Sequence, residues 1–154
     1  MQRQDPDELV DAVMTASRAL LAVVARSVAA VDEDVTLPQY RALVVLAQRG
    51  PRRPVDLAGA LAVTPSTSTR MCDRLVAKGL VGRERTSEDR REVLVALSVH
   101  GRELVAEVTR RRRAELAGLL AGMSGEQQDA VVRALRTFTE AAGEVAEPDW
   151  AVIL

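Results

Sequence analysis

The sequence predicts a mainly α-helical (α+β) domain with a single two-stranded β hairpin, and three observations predict it. Apolar residues recur at three- and four-residue steps over six separate stretches, the spacing of one helix face. Only after Gly79 does the period fall to two, the spacing of a half-buried strand. Between the stretches stand paired start and stop signals: Thr36-Leu-Pro-Gln39 and Ser124-Gly-Glu-Gln127 as capping boxes, with Gly50, Gly79 and Gly122 as stops. A chain of 154 residues can bury roughly 70% of its unfolded surface and so supports one domain or one intertwined unit.

The first helix spans about 7–31, with Leu9, Val13, Ala16, Leu20, Val23, Val24 and Val31 in phase. It is apolar over so much of its girth that it needs more than one neighbour, and a dimer partner is one way to supply the second. Asp32-Glu-Asp34 breaks it. The second helix starts at the Thr36 capping box, with Val35 and Tyr40 placed as a hydrophobic staple, and runs to about Gln48 before Arg49-Gly-Pro51. A short third helix covers 54–61. Thr64 as N-cap and Pro65 as first helical residue open a fourth, Pro65 to Lys78, which Gly79 ends. Leu80–Arg85 is a strand, 86–90 a polar tip, and Arg91–Leu97 the returning strand. Ser98 caps a fifth helix over 99–121, and a sixth covers 125–143. Two short helices joined by a tight turn and followed by a hairpin form a winged helix-turn-helix pattern. The expected organisation is therefore a winged helix-turn-helix segment over 35–98, flanked by a helical dimerisation region built from 1–34 and 99–154.

Composition narrows the function classes. The only cysteine, Cys72, excludes an intramolecular disulfide framework, and the only histidine, His100, excludes a multi-His metal site. No apolar run is long enough for a membrane span, and the N-terminus lacks the apolar region of a signal peptide, so a cytoplasmic protein without membrane contact is expected. No cofactor is expected, and no Gly-rich phosphate loop or nucleophile–base pair suggests catalysis. The formal net charge is −1, but it is unevenly distributed. Residues 1–34 carry net −4, residues 92–154 carry net −3, and residues 35–91 carry eleven basic against five acidic groups, net +6. The basic block coincides with the helix-turn-helix and points to double-stranded DNA.

At about 100° per residue, Ser68, Met71, Cys72, Leu75 and Val76 share the core side of the fourth helix, while Ser66, Thr67, Arg70, Asp73 and Arg74 face away. Small hydroxyls near the helix start permit close approach to a major groove, its free N–H groups suit a phosphate, and arginine can bond guanine in bidentate fashion. The expected DNA-contacting set on this helix is Pro65, Ser66, Thr67, Thr69, Arg70 and Arg74. Arg83, Arg85, Arg90 and Arg91 lie within nine residues at the hairpin tip, where arginines suit phosphate contact and minor-groove insertion. Asp89 among them is expected to order the tip.

Leu37-Pro-Gln-Tyr-Arg-Ala-Leu43, Asp56-Leu-Ala58, Pro65-Ser-Thr-Ser-Thr-Arg70, Asp73-Arg-Leu-Val-Ala-Lys-Gly-Leu-Val81, Asp89-Arg-Arg91 and Val95-Ala-Leu-Ser98 with Gly101 together resemble the MarR family of bacterial transcriptional regulators. The resemblance is detailed over about 37–101. It implies an obligate homodimer whose base is made by the first, fifth and sixth helices, with the fourth helix in the major groove and the wing in the minor groove. It makes Arg91 the inserting residue and leaves Arg90 for phosphate. It also implies a palindromic operator, a repressor, and an aromatic or anionic small-molecule effector held between dimer base and winged domain. Some relatives sense peroxides through a cysteine near the N-terminal helix, which ties the family to stress responses, but this chain has none there.

Three readings compete with that picture. A winged-helix module for protein contacts without its own operator would share the fold, though the basic block argues against it. A small enzyme using Cys72 would need a reactive thiol, whereas a cysteine on the core face is an inert small hydrophobe. Arg110–Arg113 cover about 300° of helix circumference, so they cannot all face water. Arg112 falls near the centre of the stripe Leu104, Val108, Leu116 and Leu119. It is expected to pair with the acidic first helix (Asp5, Asp7, Glu8, Asp11), within the chain or across the dimer, or else to form an anion site for a carboxylate effector; Tyr40 and Arg112 are the residues assigned to the effector cleft.

Overall fold

A computed structural model describes residues 5–86 and 91–147. Six helices and one two-stranded antiparallel sheet follow in the order α1 (Pro6–Val31), α2 (Leu37–Arg49), α3 (Pro54–Leu61), α4 (Pro65–Ala77), β1 (Val81–Arg85), β2 (Val93–Leu97), α5 (Val99–Leu120) and α6 (Gly125–Ala142). The sequence places every element within a few residues.

Helix α2 is the hub. Eight of its 13 residues are buried, with Leu43 inaccessible. Its capping box is formed: Gln39 N donates to Thr36 Oγ1 at 3.3 Å and Thr36 N to Gln39 Oε1 at 3.1 Å. Around it, Leu57 of α3, Leu75 of α4, Val95 of β2 and Val105 and Val108 of α5 join one core.

The turn between α3 and α4 is made by Ala62, a non-glycine residue at φ 53°, with Val63 N returning to Ala58 O at 3.0 Å. Helix α4 ends earlier than expected, at Ala77, because Gly79 (φ 71°) turns the chain into a Schellman cap: Gly79 N bonds Val76 O at 2.9 Å and Leu80 N bonds Leu75 O at 3.0 Å. Leu80 is therefore part of the cap and not of the strand, and it is fully buried. In the sheet, Val81 pairs with Leu97 and Arg85 with Val93, so Arg91 and Glu92 precede the paired strand. Arg52 adds a bridge to Val95 on the other edge of β2, with N–O distances of 2.8 and 3.0 Å.

One expectation for the flanking helices is corrected. The α5 stripe holds at Leu104 and Val108, but Leu119 is 61% exposed: no described residue buries it. Within the chain, Arg112 makes no ion pair with Asp5, Asp7, Glu8 or Asp11 among the described residues. Instead α1 and α5 are joined with the charges reversed, Arg26 of α1 to Glu115 of α5, while Arg110 and Arg111 both fold back onto Glu107 of their own helix. Leu9 and Leu20 of α1 and Phe138 of α6 remain exposed, and no residue of α6 is buried. No described helix is long and apolar enough to cross a membrane.

Candidate nucleic-acid interface

Helix α4 is held by one face and leaves the other open. On the held side Ser68 is completely buried and donates from Oγ to Pro54 O at 2.6 Å, tying α4 to the first turn of α3. Cys72 and Leu75 complete that side. Burial raises the Cys72 thiol above its ordinary range.

On the open side, Pro65, Ser66, Thr69, Arg70 and Arg74 are exposed and Thr67 is half-buried. Thr64 caps the helix by accepting from Thr67 N at 3.2 Å. Its hydroxyl donates to Thr67 Oγ1 at 2.9 Å and lies 3.2 Å from Ser66 Oγ, so three hydroxyls cluster at the positive end of the helix dipole. The Thr69 hydroxyl is turned back to Pro65 O at 3.0 Å. Arg70 and Arg74 make no hydrogen bond or ion pair among the described residues, and they border a groove of about 430 Å³ walled by Pro38, Val63 and Met71. Two exposed guanidinium groups without partners among the described residues suit contact with phosphate or a base edge.

The wing is fixed to this helix by contacts the sequence reading missed. Arg83 of β1 pairs with Asp73 of α4. Arg53 forms a bidentate pair with Asp56 at 2.8 and 3.0 Å and reaches Glu92 at 3.4 Å, clamping the start of α3 to the start of β2. Hydrogen bonding to Arg53 holds the Asp56 carboxyl below the usual carboxylate range. The Arg53–Asp56 spacing at a helix start was a readable signal. The Arg52–Val95 bridge had only one, a residue left extended between Pro51 and Pro54. Arg85 and Arg91 are exposed on the wing, and the expectations for Asp89 and Arg90 lie outside the described residues.

Of the two residues assigned to an effector cleft, Tyr40 is 4% exposed, packed in the core at the staple position, with its hydroxyl enclosed and without a hydrogen-bond partner among the described residues. Arg112 is half-buried, and its Nε is enclosed without a hydrogen-bond partner among the described residues. His100 is exposed, 4.0 Å from Glu103.

A helix-turn-helix with one exposed face and a wing clamped beside it is the arrangement of a winged-helix protein, and the proteins it is similar to place it among DNA-binding regulators. Residues 35–93 match the MarR family model. The HTH-type transcriptional regulator ML2140 of Mycobacterium leprae is 34% identical over 113 residues, covering 73% of this chain and 79% of that protein. The crystal structure of RV1404 from Mycobacterium tuberculosis superposes with a TM-score of 0.85 at 44% identity, covering 94% of this chain and 99% of that one. Bordetella bronchiseptica BpsR, whose DNA binding is regulated by 6-hydroxynicotinic acid, shares the fold with a TM-score of 0.64 at 24% identity, over 90% and 98% of the two chains. The chain belongs to the MarR family of transcriptional regulators, which are DNA-binding proteins and not enzymes.

Proposed function

We propose that this regulator is a homodimeric, ligand-responsive repressor that docks on a palindromic operator, with residues 35–98 as its reader and the flanking helices as its dimer base. In each protomer α4 enters the major groove, where Arg70 and Arg74 approach base edges or phosphates and Pro65, Ser66, Thr67 and Thr69 let the backbone come close. Arg91 enters the adjacent minor groove, Arg90 takes phosphate, and Asp89 orders the tip. The observation that carries this reading is the contrast across α4: one face locked through Ser68, Cys72 and Leu75, the other bearing two arginines that make no hydrogen bond or ion pair among the described residues.

A dimer is supported by large exposed apolar side chains on α1 and α6, where Leu9, Val13, Leu20, Leu135 and Phe138 border a groove of about 630 Å³. The two recognition helices must then lie roughly 34–36 Å apart. A ligand releases DNA by preferring a state with another separation. The ligand class is aromatic or anionic, as for BpsR, and Arg112, whose Nε is enclosed without a hydrogen-bond partner among the described residues, either donates to that ligand or pairs across the dimer. Selection of bound fragments from a random DNA pool, followed by a screen of aromatic acids for release, tests both parts. Recovery of an inverted repeat supports the reader, and recovery of no enriched sequence refutes it. Arg112→Ala is expected to weaken the dimer, and an unchanged sedimentation coefficient at all concentrations would count against an ion pair across it.

A further inference from the structure

Helix phase puts Lys78 four residues beyond Arg74 and eight beyond Arg70, in line with both as a third cation for the DNA backbone. The structure directs it elsewhere. Lys78 Nζ donates to Gln39 Oε1 at 3.1 Å and to the carbonyl oxygen of Asp34. Gln39 is 6% exposed, and its same Oε1 accepts Thr36 N at 3.1 Å. One amide oxygen thus joins the cap that starts α2 to the residue that ends α4, and the Asp34 carbonyl extends the link to the segment leaving α1. Lys78 makes no ion pair among the described residues, so its charge is directed at two neutral oxygens. It is also the only lysine among 21 basic residues. A compact ammonium with three donors can satisfy oxygens converging from two segments, which a planar guanidinium fork matches poorly.

We propose that Lys78 is a positioning residue for DNA recognition: through Gln39 and Asp34 it sets the pose of the recognition helix against the α1–α2 junction, and it is not a phosphate ligand. The inference rests on α4 being the DNA reader. Lys78→Met keeps the stem and removes the donors. Expected is about tenfold weaker binding to the selected operator, the scale of one lost hydrogen bond to a charged group, with unchanged binding to unrelated DNA and an unchanged salt slope. A phosphate ligand behaves differently: its loss weakens all DNA alike and lowers the slope of log K against log salt by about 0.9. That result, or operator affinity equal to wild type, would overturn the proposal.

The link can also be read without DNA, which separates its failure from failure of the DNA reading. An amine-selective acylating reagent followed by peptide mass spectrometry reports on Lys78, the sole lysine. Gln39→Met is expected to raise its acylation rate severalfold, and an unchanged rate would refute the link even if operator binding is found.

Discussion

Gly101 is the position where the smallest substitution should do the most damage. It lies in the first turn of α5 and is buried there. A Cβ built on it falls far inside van der Waals contact of the Leu80 carbonyl oxygen, 3.1 Å from the Leu80 carbonyl carbon and 3.3 Å from Leu97 Cδ2. The obstacle is backbone, not a side chain that can swing away. The same carbonyl accepts Ser98 N at 3.1 Å, Ser98 Oγ donates to Gly79 O at 2.6 Å, and Gly101 N returns to Ser98 Oγ at 3.0 Å. Moving α5 out therefore stretches the joint that ends α4 and starts α5. Overpacking of a core site costs about 1–3 kcal/mol, and a backbone obstacle puts Gly101→Ala at the upper end. For a chain of this size that lowers Tm by roughly 6–12 °C. Gly59→Ala is the internal comparison: it lies within α3 with nothing within 4 Å of its built Cβ, and should stabilise by about 0.5–1 kcal/mol. Urea and thermal unfolding at one fixed protein concentration measure both. A Gly101→Ala protein as stable as wild type would refute the packing argument.

Other outcomes follow from the same contacts. Cys72, buried with its thiol shifted up, should resist alkylation at neutral pH in the native protein and react once unfolded; rapid native labelling would revive a reactive role. The Glu107 carboxyl is held down to about 2 by hydrogen bonds from Arg110 and then Arg111. Its folded pKa lies below the ordinary 4.5, so its stabilising contribution is present above that value and is lost as pH falls toward 2. Carboxyl NMR should find its midpoint near the lower value, and a midpoint at the ordinary one would show the arginines are not engaged. Arg91→Ala should weaken DNA binding in a gel-shift titration while sedimentation still gives a dimer. Arg70→Ala should relax preference by about 1–3 kcal/mol at one base step in a mismatch series, and an unaltered base preference would remove Arg70 from direct readout.

The elements were legible because their signals are local. Thr36–Gln39 and Ser124–Gln127 close as capping boxes, and Gly79 turns as its place after an apolar face demands. The two faces of α4 could be read for the same reason, since one period assigns Ser68 and Cys72 to the core and Arg70 and Arg74 to solvent. Long-range polar contacts could not be read. Arg83–Asp73, Arg53–Glu92 and Lys78–Gln39 depend on how the hairpin and helices pack, which periodicity does not encode. The α1–α5 ion pair could not be read for a related reason: the run Arg110–Arg113 indicated that some guanidinium must be enclosed, but not that α1 would answer with Arg26 toward Glu115.

The most direct measurement is the affinity of the wild-type protein for its selected operator across a salt series. With Arg70, Arg74, Arg90 and Arg91 of two protomers assigned to the duplex, log K should fall linearly with log salt, so that the affinity drops by about 10³–10⁵-fold between 50 and 200 mM, the range for six to ten phosphate contacts. Arg70→Ala with Arg74→Ala should flatten that line. Binding that is absent, or that does not change with salt, would contradict the assignment of this face to DNA.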